Sequence, residues 1–192
     1  MKSKTSQKLI LALVGMPGAG KTEASSYLQK KGIPFVRFGQ ITEDEVARLG
    51  LKPTQENERF AREKIRKEEG MGAYAVRAKP KIDELLNTNG VLVIDGLYSW
   101  EEYTLLKKEF PELLLIHIYG EPQKRYERLL KRPIRRLPEG ELRLRDIAEL
   151  EKLNKGGPIA IADYLIENNS DDIDNLYKKL DALMDRLGLR HD

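Results

Sequence analysis

Residues 15–22 read Gly-Met-Pro-Gly-Ala-Gly-Lys-Thr and follow without a break the apolar run Leu9–Val14. No other stretch limits the possible folds so sharply. Six apolar residues with no polar alternation suit a strand buried on both faces, the strand of a parallel sheet. They are far too few to cross a bilayer. Gly15, Gly18 and Gly20 clear the following turn of side chains, so that successive N–H groups can converge on anionic oxygens. Gly15, Gly20, Lys21 and Thr22 complete the spacing G-x-x-x-x-G-K-[ST]. A helix expected at 21–31 begins beside them, with free N–H groups and the positive end of its dipole. Gly15, Pro17, Gly18, Ala19, Gly20, Lys21, Thr22 and Glu23 are therefore candidate nucleotide-binding residues. Lys21 is expected to reach the β- and γ-phosphates and to act in catalysis, and the Thr22 hydroxyl to ligate Mg2+.

Downstream, apolar runs alternate with amphipathic stretches, the pattern of an α/β protein. Strands are expected at Leu9–Val14, 34–38, 91–94, 113–118 and Tyr164–Glu167. Helices are expected at 21–31, 42–50, 54–69, 72–88, 99–109, 121–131 and 139–153. A last helix carries Ile173, Leu176, Leu180, Leu183, Met184 and Leu187 on one face, with Ser170 or Asp171 as its cap. Five short strands joined by helices imply a mostly parallel sheet between helical layers. Ligands of such sheets lie at the carboxyl ends of the strands. The 15–22 loop and Asp95-Gly96 both fall at that edge. Asp95 is accordingly a candidate catalytic carboxylate on the metal side. One domain is expected over residues 9–192, behind a loose tail at 1–8, with a helical insertion at about 39–88 and a short lid at about 132–157.

The 192 residues carry a net charge of only +3, so any attraction for a polyanion must come from local clusters. Cysteine is absent and the histidines are His117 and His191 alone, which removes disulfides, thiol nucleophiles and His-rich metal sites. With no signal peptide and no apolar span, a cytoplasmic protein that meets no membrane is expected. Arg125, Arg128 and Arg132 share one face of the 121–131 helix. Lys131, Arg135, Arg136, Arg143 and Arg145 follow before the chain closes at Lys155-Gly156-Gly157-Pro158. An insertion this cationic can swing over a triphosphate and neutralise charge in transfer. Arg128 and Arg132 are expected to act in catalysis and Arg125 in nucleotide binding. Between the second and third strands, Arg59 and Arg62 read as solvent-facing helix residues, and Arg37 and Arg66 as acceptor candidates.

Together these residues resemble the nucleoside monophosphate kinase branch of P-loop proteins. More closely, they resemble the mainly archaeal dephospho-CoA-kinase-like, adenylate-kinase-related family. The resemblance rests on the 15–22 loop, Arg66-Lys67-Glu68-Glu69-Gly70, Val93-Ile94-Asp95-Gly96 and Arg125-Tyr126-Glu127-Arg128-Leu129. Arg145-Asp146 and Ala162-Asp163-Tyr164-Leu165-Ile166-Glu167-Asn168-Asn169 extend it. It implies a P-loop NTPase three-layer α/β/α sandwich with strand order 2-3-1-4-5, ATP and Mg2+ as cofactors, and an adenine beside Asn168. It also implies a small-molecule phosphate acceptor met by Arg37, Gln40, Arg66 and Gly96. A nucleic-acid partner is disfavoured, and the assembly is a monomer or a homodimer.

Two positions depart from that family. Phe38-Gly39-Gln40-Ile41 stands where an Asp is usual after the second strand, and Leu97-Tyr98-Ser99 where an Arg is usual after Asp-Gly. Gln40 cannot take a proton; a hydroxyl acceptor needs a base, whereas a phosphate acceptor arrives anionic. The reading is an ATP-dependent kinase acting on a nucleotide or another phosphate-bearing acceptor. The alternatives are a hydroxyl kinase of dephospho-CoA kinase type, with Asp95 or Asp44 as base, and a nucleotide-dependent switch or ATPase with a protein or nucleic-acid partner.

Overall fold

The computed structural model of the chain describes residues 8–132 and 138–189. Residues 1–7 of the expected tail, and Arg135 and Arg136 of the expected lid, lie outside the described residues. Five strands are present: β1 Leu9–Val14, β2 Phe35–Arg37, β3 Val91–Asp95, β4 Leu113–Tyr119 and β5 Tyr164–Glu167. They form one sheet in the order β2-β3-β1-β4-β5, the order expected, and every pair is parallel. In register, Leu13 pairs with Asp95 and Val14 with His117, so the glycine loop leaves the carboxyl edge of the sheet beside Asp95.

The helices are α1 Lys21–Lys30, α2 Phe38–Arg48, α3 Gln55–Glu69, α4 Ala73–Asn89, α5 Trp100–Glu109, α6 Pro122–Leu130, α7 Leu142–Leu153, α8 Gly156–Ala160 and α9 Ile173–Arg186. Alternate residues of β1 feed two cores, the period-2 signature of a strand covered on both faces. Ile10, Ala12 and Val14 pack with Tyr74, Ile82 and Leu86 of α4 and Leu106 of α5. Leu11 and Leu13 pack with Leu28 of α1 and with Leu176 and Leu180 of α9. Three layers result.

Three differences from expectation have a clear physical reason. α2 starts at Phe38, four residues before the expected 42, because Phe38, Thr42, Glu45 and Val46 share one buried face. Gly39 does not prevent this: a helical glycine costs about 0.5–1 kcal/mol, and burying a phenylalanine returns about 1.5–3 kcal/mol. The closing turn at Gly156-Gly157-Pro158 forms α8, with Pro158 in its first turn, where a missing N–H costs little. α9 is capped by Asp172, whose carboxylate accepts from the Asp174 amide at 3.0 Å, and not by Ser170 or Asp171. Ser170 instead accepts from the Asp172 amide and fixes the cap itself. Among the described residues, no helix is long and apolar enough to cross a membrane.

Candidate active site

Gly20 holds the N-terminus of α1 at φ 102°, and no side chain caps the first turn. The leading N–H groups of the helix are thereby left for a ligand. At Gly15 (φ 142°) and Gly20, the left-handed side of backbone space already disfavours other residues. A Cβ would also overlap the Ile118 carbonyl at the first position and the Asn168 side-chain amide at the second. The Lys21 ammonium donates to the carbonyls of Gly15 (2.9 Å) and Met16 (3.2 Å). Burial first, and the Lys155 ammonium second, pull the Lys21 pKa down to about 7. The Thr22 hydroxyl donates to Oδ2 of Asp95 at 3.2 Å. Burial raises the Asp95 carboxyl, against the opposing pull of Lys21 and Thr22.

A cleft opens at this edge, floored by Pro17, Gly18, Gly20, Lys21, Thr22 and Asp95, with Glu23 also in its lining. Arg37, Arg62 and Arg66 line it from the β2–β3 region, and Arg132, Arg145 and Lys155 from the β4–β5 region. Seven cations thus surround four carboxylates, a lining built for a polyanion. Like charges oppose one another across the space: burial lowers the Arg62 pKa, and Arg145 lowers it further.

Arg66 is held with particular economy. Its Nη2 donates to Oε1 of Glu102 at 3.2 Å, and its guanidinium carbon lies 4.5 Å from the centre of the Tyr74 ring. The side chain is only 7% exposed, yet its Nε has no hydrogen-bond partner. Glu102 is fixed in turn by a capping box: it accepts from the amides of Tyr98 (2.8 Å) and Ser99 (3.0 Å), while Ser99 Oγ accepts from the Glu102 amide. The Ser99-x-x-Glu102 spacing that carries this arrangement is legible in the sequence.

Several candidates serve the site from behind. Arg125 is buried against Asp146 in a two-pronged pair (3.0 and 2.7 Å) and donates to the carbonyls of Gly120 and Pro17. Its donors brace the loop and are not available to a nucleotide as expected. Arg128, expected to act in catalysis, donates to the carbonyls of Asn168 and Ser170, both at 2.8 Å, and lies outside the cleft lining. The Asn168 amide donates to the Ala19 carbonyl at 2.9 Å, so this residue bolts the loop after β5 to the glycine loop. Gln40 is exposed, accepting from Arg37 and donating to Asp44, because the early start of α2 turns it away from the cleft. Gly96 is likewise outside the lining; the Tyr98 hydroxyl covers it, and Tyr98 forms the wall. Among the described residues of the basic run at 124–145, Lys124 pairs with Asp171 and Arg145 with Glu149.

Arg62, Glu149 and Lys155 also line the cleft, which corrects the solvent-facing reading of Arg62; sequence pattern assigns no role to Glu149 or Lys155. Arg59, by contrast, is a solvent-facing residue as expected, paired only loosely with Glu63. Arg62 and Arg59 look alike in sequence; in the fold the Arg59 side chain is 71% exposed and that of Arg62 only 21%. Lys155 follows Asn154, which ends α7 in the left-handed conformation at φ 50°. That stop signal is visible in Asn154-Lys155-Gly156-Gly157, but the inward turn of the lysine is not.

A family model described as "AAA domain" matches residues 11–143. A UPF0200 protein of Thermococcus sibiricus is 39% identical over 186 residues, covering 95% of this chain and 97% of that protein. A UPF0200 protein of Thermococcus onnurineus is 36% identical over 165 residues, covering 84% and 89%. Among solved structures, shikimate kinase from Bacteroides thetaiotaomicron superposes with a TM-score of 0.59 at 17% identity, covering 94% of this chain and 99% of that one. This last likeness is one of fold, and it agrees with the strand order and the placement of the glycine loop. The chain thus carries a P-loop kinase-type fold and belongs to the AAA-domain family and to the archaeal UPF0200 proteins.

Proposed function

We propose that the protein is an ATP-dependent small-molecule kinase that passes the γ-phosphoryl group of ATP to a phosphate-bearing acceptor. The observation that carries this reading is Arg66, a buried guanidinium on the cleft wall with an unpartnered Nε. A buried donor left unmade is costly, and an anionic oxygen is the group that would satisfy it. The uncapped amides of α1 and Lys21 would cradle the ATP phosphates, and Arg62 and Arg66 would meet the acceptor, with Arg37, paired to Glu43, beside them. The acceptor oxygen bonds to the γ-phosphorus as the bridging oxygen departs with ADP. A phosphate acceptor is already anionic, so no base is required.

The Thr22 hydroxyl and Asp95 carboxylate, side by side at a dry sheet edge, form an all-oxygen donor set that suits Mg2+. Bound there, the ion would neutralise charge on the phosphate oxygens. Glu149, the other buried carboxylate paired with cations of the cleft, makes a poor base. Burial alone would raise Glu149, but Lys155 and Arg145 beside it overcompensate and bring it to about 2. Gly39, on the cleft wall after β2, offers no side chain at all. A hydroxyl acceptor would therefore depend on Asp95, whose carboxyl burial raises.

Incubation with labelled ATP, Mg2+ and a panel of acceptors tests the proposal. Transfer is expected to nucleoside monophosphates or other phosphomonoesters. Transfer confined to hydroxyl compounds would replace that reading with the hydroxyl kinase, and acceptor-independent hydrolysis would favour the switch. Arg66→Met is expected to raise the acceptor KM at least about tenfold, the loss of one charge-assisted hydrogen bond, while the affinity for ATP stays within about twofold. Equal losses for both substrates would remove Arg66 from the acceptor side.

A further inference from the structure

Lys155 is 1% exposed, yet it belongs to the lining of a polar cleft. Lysine is almost never fully buried unless paired, and its pairing here is incomplete. Its ammonium donates to Oε2 of Glu149, but Glu149 also accepts from Arg145, so one carboxylate serves two cations. The remaining contact is the Tyr98 ring, 5.0 Å from the nitrogen. An ammonium has three donors, and among the described residues Glu149 is its one hydrogen-bond acceptor. Lys21 lines the same cleft. Two lysines from opposite ends of the chain therefore share one small space with surplus positive charge.

The surroundings hold Lys155 in this position. The left-handed turn at Asn154 ends α7, and the next residues enter α8. Gly157 lies so close against the Trp100 ring that a Cβ there would overlap it. Trp100 and Tyr98 both follow directly from β3 and Asp95. The lysine is thus pinned to the same sheet edge that carries the glycine loop, and not to a free surface of α7.

We infer that Lys155 is a second phosphate-binding lysine, opposite Lys21, which seats the outermost phosphoryl group of a nucleoside triphosphate. Glu149 acts as its positioning partner, holding the ammonium in place before the ligand arrives. Lys21 and the α1 amides hold the inner phosphates, and Lys155 completes the cage around the third. This inference rests on the phosphate-binding reading of the cleft.

Calorimetric titration with Mg·ADP and with the Mg complex of the β,γ-imido analogue of ATP tests it. In the wild-type protein both nucleotides bind. Lys155→Met is expected to weaken the triphosphate analogue about 10- to 100-fold, the range for a hydrogen bond to a charged group, and ADP less than about threefold. Glu149→Gln/Lys155→Met removes the buried charge pair together and guards against misfolding of the single variant. It is expected to show the same selective loss. An analogue-to-ADP affinity ratio unchanged in both variants, alongside intact wild-type binding, overturns the role of Lys155 alone. A wild-type protein that binds neither nucleotide overturns the phosphate-loop reading beneath it.

Discussion

Lys21→Ala is expected to lower ADP affinity about 100-fold, the upper range for a charge-assisted hydrogen bond to phosphate, without changing the far-UV circular dichroism. The fold does not depend on this ammonium, whose bonds go to two loop carbonyls. The same residue dictates a pH dependence. In the free protein Lys21 titrates near 7 instead of 10.5, because of burial and then of Lys155. A bound phosphate favours the charged form and raises that value, so binding takes up a proton. Wild-type affinity should fall as pH rises above about 7, by at most tenfold per unit, and the slope should flatten in Lys21→Ala. Stability runs the opposite way. Between about 7 and 10.5 the unfolded chain holds the proton that the folded one lacks, so the cost of burying Lys21 shrinks as pH rises through that window. Wild-type affinity that stays level from pH 7.5 to 9 would remove Lys21 from the phosphate site.

The second large effect concerns stability. Asp146→Ala strands the Arg125 guanidinium, which is buried and held by both carboxylate oxygens. Breaking a buried pair by removing one partner costs about 3–5 kcal/mol. For a chain of this size that corresponds to a Tm lower by roughly 10 °C. Arg125→Met/Asp146→Leu removes both charges and should recover most of the loss, since the desolvation cost disappears with them. Thermal denaturation of the three proteins decides the matter. If Asp146→Ala melts with the wild type, Arg125 is not the brace described above and its nucleotide-binding assignment revives.

The Asp146 case shows where sequence reading reached its limit. Arg125, Arg128 and Arg132 sit on one helical face, and spacing alone treats them alike. In the folded chain Arg125 has Asp146 and two carbonyls, Arg128 has the carbonyls of the loop after β5, and Arg132 reaches the cleft. Whether an arginine is spent on its own protein or kept for a ligand depends on which acceptors come within about 3 Å, and all of those acceptors but the Gly120 carbonyl lie 21 to 108 residues away. Gln40 and Gly96 lie outside the cleft lining for a related reason. One early turn of helix, or one tyrosine folding back over a glycine, swaps the residue that faces the cleft.

What the sequence determined by itself was the local chemistry that needs no distant partner. An unbroken apolar strand, a glycine spacing with lysine and threonine, and a second apolar strand ending in Asp95 place a phosphate loop at the carboxyl edge of a parallel sheet. Covalent neighbours and backbone sterics suffice for that, because glycine conformations and helix N-termini are decided within a few residues. The tertiary structure alone decided the charges around that loop: the orphaned donor of Arg66, the inward lysine at 155, and the carboxylate at 149 that two cations share. Those properties arise from burial and from cross-chain proximity, and both come into being only when the layers pack.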